Sequence, residues 1–272
     1  VLEAERRSGR LHRRFDRMAR LVGDEAMRTL AASRVTIFGL GGVGSWAAES
    51  LVRSGIGSLH IVDFDLVCVT NTNRQLHAVK GATGKPKAEI LAERLRSINP
   101  VANIRASVQF YDAAHSDELL EDTPHFVIDA IDNITAKSHL IATCQRRGIP
   151  MVVSGGASGR SDPTAIRVAD LAQVRDDAFL AATRKFLRRR HDFSSADRWD
   201  ISAVYSLEPC ADPHELEYEN GGGFQCVCPQ GANDLHGCDH RSVIYGTASY
   251  VTGAFGLACA SQAVRQLLAA RS

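Results

Sequence analysis

Six consecutive residues, Gly39-Leu40-Gly41-Gly42-Val43-Gly44, constrain the fold more than any others. They follow Arg34-Val35-Thr36-Ile37-Phe38, a short β-branched run that stops at the glycines, and they precede residues 45–54, which read as a helix. Glycines placed there permit a tight turn and close backbone approach to a ligand, while the helix that follows offers free N–H groups to a phosphate. A G-x-G-x-x-G pattern carries meaning in this strand-to-helix setting. Residues 59–63 read as a second strand, closing a βαβ unit of about 30 residues. That strand ends on Asp63, where a carboxylate can take a ribose hydroxyl. Taken alone, the pattern suits NAD or FAD as readily as ATP, and a glycine turn without a ligand is the bland reading.

The alternation continues. Helices are predicted over residues 87–98, 116–120 and 135–147, and strands over 103–108, 126–131 and 150–154. A helix over residues 14–30, with Leu21, Met27 and Leu30 for an apolar face, precedes the first strand. Strands alternating with helices predict an α/β fold: Rossmann-like and doubly wound, with a mostly parallel sheet and helices on both faces. Past Gly155 the rhythm weakens. Residues 173–191 look helical, and residues 208–239, rich in Gly, Pro, Cys and Asn, read either as a long ordered loop or as a mobile crossover. Residues 243–268 are largely apolar, but Gly246, Thr247, Ser249, Tyr250, Thr252, Ser261, Gln262 and Arg265 interrupt them. A membrane helix needs roughly 20 predominantly apolar residues, so a buried helix is expected and no membrane association.

A second set of residues is more specific than the glycines. Asp63-Phe64-Asp65 leads into Asn71-Thr72-Asn73-Arg74-Gln75, then into Lys85-Pro86-Lys87-Ala88-Glu89, and later comes Asp129-Ala130-Ile131-Asp132-Asn133. A hydride-transfer enzyme has no need of this set. Arg and Lys beyond adjacent strand ends suit triphosphate oxygens, Arg by forked hydrogen bonds and Lys as a point charge. A carboxylate at a strand's C-terminal end, such as Asp132, suits a Mg²⁺ bridging those oxygens. Singly, Lys87 reads equally as a helix-surface lysine and Asp132 as a helix cap. Jointly, they point to ATP.

These residues resemble the E1-like adenylating enzymes of ubiquitin activation and of molybdopterin and thiamin biosynthesis. Within that group the chain is most similar to the tRNA threonylcarbamoyladenosine dehydratases. The likeness runs from about Arg14 to the C-terminus and is strongest over residues 33–156. Gly41-Gly42-Val43-Gly44-Ser45-Trp46-Ala47-Ala48-Glu49 carries it, with Val67-Cys68-Val69-Thr70-Asn71-Thr72-Asn73-Arg74-Gln75, Val127-Ile128-Asp129-Ala130-Ile131-Asp132 and Val251-Thr252-Gly253-Ala254-Phe255-Gly256.

The resemblance implies an ATP-binding adenylation domain over residues 14–160. A substrate-side α/β extension over 161–272, with a mobile loop and the C-terminal helix, forms one continuous globular unit with it. It also implies roles: Gly41 against the nucleotide, Asp63 on the ribose, Asn71, Arg74 and Lys87 on the phosphates, and Asp132 on Mg²⁺. Gly39, Gly42, Gly44, Asp65, Gln75 and Asn133 complete the expected ATP site. A homodimer is implied, with an arginine near the N-terminus reaching the partner's ATP. Arg17 matches that position, Arg20 competes for it, and a plain solvent-facing arginine is the alternative.

A carboxylate does not expel hydroxide near neutral pH, so it must first become a mixed anhydride with AMP, releasing pyrophosphate. The narrower family implies that this carboxylate belongs to the threonine moiety of N6-threonylcarbamoyladenosine in tRNA, whose carbamoyl group then closes on it. The competing acceptor is the C-terminal glycine of a small sulfur-carrier protein, which would bring a cysteine desulfurase system as partner. A non-catalytic nucleotide-binding protein of such a system and a nicotinamide oxidoreductase are the further alternatives.

The chain has seven cysteines, an odd number, with no cleavable signal pattern at its start and no Cys-x-x-Cys. A reducing, cytoplasmic setting is expected. Cys226, Cys228, His236 and Cys238 read as a zinc site, a reactive thiol or ordinary loop cysteines, with Cys238, just ahead of the last helix, the best nucleophile candidate. Cys68 reads as a packing residue. Net charge is +1, but residues 6–14 and 184–191 are basic tracts. The second reads equally as a tRNA-attracting stripe and as a solvated helix face.

Overall fold

The computed structural model describes residues 13–217, 227, 229 and 243–270. Its helices are α1 (Asp16–Val22), α2 (Asp24–Ala31), α3 (Gly44–Arg53), α4 (Lys87–Ile98), α5 (Ser116–Leu119), α6 (Ile134–Arg146), α7 (Ala178–Arg190) and α8 (Ser249–Ala269). Its strands are β1 (Arg34–Phe38), β2 (Ser58–Val62), β3 (Asn103–Ser107), β4 (Phe126–Asp129), β5 (Met151–Ser154), β6 (Ile166–Asp170) and β7 (Ser202–Ser206). They form one sheet in the order β3-β2-β1-β4-β5-β7-β6. Every pairing is parallel except β6 with β7, which is antiparallel. The fold is the expected Rossmann-like α/β sheet. From β1 the chain winds outward through β2 and β3, then returns to place β4 on the other flank of β1. That reversal opens a crevice beyond the C-terminal tips of β1 and β4, where ligands bind in such sheets.

Both faces of the sheet are covered, which is why its central strands are near-continuous apolar runs. Val35, Ile37, Phe126 and Ile128 pack with Leu51, Leu91, Phe255 and Ala263 on one face. Phe38, Val127 and Val153 pack with Leu140, Ile141, Leu180 and Leu187 on the other. Each fully buried side chain of this size contributes roughly 1.5–3 kcal/mol relative to exposure.

The largely apolar C-terminal stretch is the core helix α8, and its small residues have a packing reason. A Cβ on Gly256 would collide with the carbonyl of Val43, and one on Gly253 would come within 3.2 Å of the Trp46 ring. Glycine at both positions lets α8 cross close over the start of α3. Among the described residues no helix is long and apolar enough to cross a membrane.

Some elements differ from expectation. The single helix over 14–30 breaks at Gly23, whose φ of +87° is not helical. Helix α7 starts at Ala178, not at 173, because Asp177 is its extended N-cap and accepts a hydrogen bond from Leu180 N at 2.8 Å. Strands β6 and β7 were not expected. Most of residues 208–239 and most of the first basic tract lie outside the described residues.

Candidate active site

A cleft of about 900 Å³ opens at the tips of β1, β2 and β4. The glycine turn forms its floor. Gly39 has φ +84°, and a Cβ there would sit 2.6 Å from Ala130 O. A Cβ on Gly44 would collide with Gly39 O, so these two glycines close the loop. Gly42 presses on Thr252 and on the Arg74 side chain, while Gly41 has only the Gln75 amide within 4 Å of where a Cβ would lie. Gly41 therefore leaves room for something to lie against the backbone.

Asp63 clamps this turn. Its Oδ2 accepts from Leu40 N at 2.6 Å and its Oδ1 from Asp65 N at 2.8 Å. Burial pushes its carboxyl pKa up, with Lys87 opposing the rise. Lys87 is itself buried, its Nζ 2.6 Å from Asp65 Oδ2. Burial works against the ammonium charge, but Asp63, Asp65 and Asp132 outweigh it and hold the Lys87 pKa above its usual value. Lys87 is thus no surface lysine: it is a fixed positive charge among three carboxylates. The other oxygen of Asp65, Oδ1, is buried with no hydrogen-bond partner among the described residues.

Arg74 borders the same cleft, its Nη1 donating to Thr70 O at 2.9 Å and to Asn73 Oδ1 at 3.0 Å. Trp46 Nε1 donates to the Arg74 carbonyl at 3.0 Å, tying this loop to α3. Asn71 accepts from Cys68 N at 3.0 Å and caps a short 3₁₀ turn. Gln75 pairs its Oε1 with His77 Nε2 at 3.0 Å. Asn133 lines the cleft, but its Oδ1 is engaged as the N-cap of α6, accepting from Ala136 N at 3.0 Å. Asp132 lies beside it on the cleft wall.

The structure therefore brings Gly39, Gly41, Gly42, Asp63, Asp65, Asn71, Arg74, Gln75, Lys87, Asp132 and Asn133 to one cleft. Gly44 acts behind it. Arg17 is exposed on α1 and does not line the cleft, and Arg20 pairs with Asp16 at 3.1 Å. Cys226, Cys228, His236 and Cys238 lie outside the described residues. Cys68 is buried, as packing requires, and also touches the cleft.

The opposite wall was not foreseen. It holds Gly155, Gly156, Arg160, Asp177, Phe179 and Tyr245. Arg160 donates through Nε to Glu208 O at 3.0 Å and through Nη1 to Gly156 O, and its Nη2 lies 3.6 Å from Asp177 Oδ2. Asp177 Oδ2 also accepts from Gly156 N at 2.9 Å. One ion pair thus ties the tip of β5 to the end of β7 and the start of α7. A second buried pair, Asp129 with Lys137 at 2.9 Å, lies under the β4 tip, with both side chains fully buried. Asp177 had a legible signal as a capping residue. Arg160 and Lys137 had none, since each finds its partner only through the fold.

A glycine turn on a topological switch point, with Lys, Arg and carboxylates converging beyond the strand tips, defines a nucleotide-binding protein of the Rossmann-like α/β class. More narrowly, the chain belongs to the ThiF family, whose model matches residues 15–272. It is 39% identical over 260 residues to the tRNA threonylcarbamoyladenosine dehydratase of Escherichia coli, covering 94% of each chain. To the Haemophilus influenzae protein of the same name it is 36% identical over 261 residues, covering 95% of each. The crystal structure of the E. coli dehydratase in complex with ATP superposes with a TM-score of 0.81, at 36% identity and 95% coverage of both chains.

Proposed function

We propose that the chain is an ATP-dependent, AMP-forming enzyme that adenylates the carboxylate of N6-threonylcarbamoyladenosine in tRNA and promotes its cyclisation. The observation that carries this reading is Lys87, buried and charged among Asp63, Asp65 and Asp132, in the cleft that the glycine turn and Arg74 also line. Likeness to the dehydratases over nearly the whole chain, both walls of the cleft included, supports the tRNA substrate.

In this reading Gly39, Gly41, Gly42 and Gly44 shape the seat for the nucleotide. Asp63 and Asp65 face the ribose, the buried orphan oxygen of Asp65 being a ready acceptor for a hydroxyl. Lys87 meets the phosphates as a point charge and Arg74 as a fork, with Asn71 and Gln75 holding their loop in place. Oxygen donors such as Asp132 and Asp65 fit a hard cation, and Asp132 would hold Mg²⁺. When bound, that ion neutralises phosphate charge. The protein's contribution is positioning and preorganised electrostatics.

The substrate carboxylate attacks the α-phosphorus and pyrophosphate leaves. The carbamoyl group then attacks the activated carbonyl, AMP leaves with the bridging oxygen, and the carbamoyl proton passes to solvent. The wall of Arg160, Asp177, Phe179 and Tyr245 faces the acyl substrate. Residues 14–160 and 161–272 act as one unit in this scheme, in a homodimer where Arg17 reaches the partner's nucleotide, and tRNA places the reaction in the cytoplasm.

Pyrophosphate release tests the proposal. Release stimulated by tRNA carrying threonylcarbamoyladenosine, and not by unmodified tRNA or by a carrier protein with a diglycine tail, is the expected result. Stimulation by the carrier alone would make the chain a sulfur-carrier adenylating enzyme with a cysteine desulfurase system as its partner.

A further inference from the structure

The basic tract on α7 does not behave as one stripe. Lys185 and Arg189 face solvent, whereas Arg184 is only 7% exposed and its Nη1 has no hydrogen-bond partner among the described residues. A buried guanidinium without a partner is costly and demands an explanation. Its nearest opposite charge does not supply one. Asp177 is already engaged by Leu180 N at 2.8 Å, by Gly156 N at 2.9 Å and by Arg160 at 3.6 Å.

Around Arg184 the charge is positive. Arg188 lies one turn further along the same helix face and is exposed, its guanidinium 5.2 Å from the centre of the Trp199 ring. Arg175, also exposed, is anchored by its Nη1 to Ala172 O at 2.8 Å. Burial, and then the like charges of Arg175 and Arg188, push the Arg184 pKa below the usual arginine value. Three guanidiniums, one of them buried and without a partner among the described residues, make a set of forked donors suited to an anion.

We propose that Arg175, Arg184 and Arg188 form an oxyanion site for a phosphate group. It rests on the tRNA reading of the cleft in one respect only: that reading makes the phosphate a backbone phosphodiester of the RNA. Asp177, the N-cap of α7, lies on the cleft wall, and at about 1.5 Å per residue Arg184 lies about 10 Å further along the helix axis. In this proposal the RNA whose modified base enters the cleft runs along α7 and reaches this site. Arg188 gives the phosphate a solvent-side contact, and Arg184 receives it from within.

The test uses the full chain and two variants, Arg184→Met and the exposed Arg188→Gln. Binding of tRNA is measured against salt, and thermal unfolding is measured in potassium phosphate against potassium chloride at matched ionic strength. We expect weaker tRNA binding in both variants, with the slope of log K on log salt reduced by about 1 in each. Phosphate should raise the wild-type Tm more than that of Arg184→Met. In chloride Arg184→Met should match or exceed the wild-type Tm, because an unpaired buried charge has been removed.

Unchanged slopes together with equal phosphate responses would overturn the site while leaving the tRNA reading intact. A wild type that binds no tRNA would remove that reading. The phosphate response then decides the site alone: a response lost in Arg184→Met assigns it to free phosphate, and an equal response overturns it.

Discussion

On one side of the cleft, the glycine turn, Asp63, Asp65, Arg74 and Asp132 sit on loops that leave neighbouring parallel strands, and Lys87 opens the helix α4 that follows one of them. On the other, Arg160 and Asp177 are held by main-chain groups from three elements distant in sequence, with Gly156 and Glu208 as partners. The first side concentrates charge and leaves a buried carboxylate oxygen of Asp65 without a partner among the described residues. The second spends its one ion pair on joining β5, β7 and α7. In the proposed reading the contrast separates a wall that meets a polyanion from a wall that holds its shape around the acyl substrate. The two sides should therefore respond differently to substitution.

The largest effect is expected beneath both walls. Lys137→Met leaves Asp129 buried without its ion partner, and removing one member of such a pair costs about 3–5 kcal/mol. Chemical denaturation should show a loss of that size, and a loss below about 1 kcal/mol would mean that Asp129 takes a proton instead. Next is Lys87→Ala, for which kcat should fall about 10²–10³-fold, the range for losing one preorganised electrostatic group; the variant also leaves Asp65 without its ion partner, so kcat is compared at a temperature where denaturation shows the variant folded. Lys87→Arg should recover only part of the activity, since a fork does not replace a point charge in that space. A Lys87→Ala variant with wild-type kcat would place the phosphates elsewhere.

On the opposite wall, Arg160→Ala should raise KM for the acyl acceptor about tenfold, the loss of one charged hydrogen bond, while KM for ATP stays the same. Equal rises in both KM values would erase the division between the walls. Separate from these substitutions is a pH dependence within the first half of the chain. Burial, then Arg105, lower the pKa of His60 to about 4, and burial, then Lys87, lower that of His77 to about 3. Between the usual histidine value near 6.5 and pH 4 the unfolded chain takes up protons that the fold refuses. Stability should therefore fall as pH drops through that window, by at most about 1.4 kcal/mol per pH unit for each histidine. His60→Gln should flatten the slope measured by denaturation.

The two sides also differ in how readily the amino-acid order betrays them. Strands β1, β4 and β5 are legible because burial on both faces makes them near-continuous apolar runs bounded by turn residues, whereas β2 and the edge strand β3, with Ser58, His60, Asn103 and Arg105, are legible mainly from their place between helices. Strand β6 is an edge strand with Arg167 and Val168 exposed, and its partner β7 lies beyond α7, so neither shows a clean period. Gly23 looks like a tolerated helix glycine until its φ is known. The nucleotide residues share short motifs next to strand ends and could be named. Even there the burial of Lys87 depends on Asp63 and Asp65 arriving from the preceding strand. Arg160 and Lys137 gain meaning only from partners that the fold supplies. Within the basic tract, the helical period turns Arg184 and Leu187 inward and Lys185 and Arg189 outward, a division that composition conceals.

The central claim is that a carboxylate of the substrate, not water or a hydroxyl, attacks the α-phosphorus. Transfer RNA whose threonylcarbamoyl carboxylate carries heavy oxygen tests it directly. After turnover with unlabelled ATP, mass spectrometry should find one labelled oxygen in AMP and none in pyrophosphate. AMP free of label, or label appearing in inorganic phosphate, would contradict adenylation and with it the assignment of Lys87, Arg74 and Asp132.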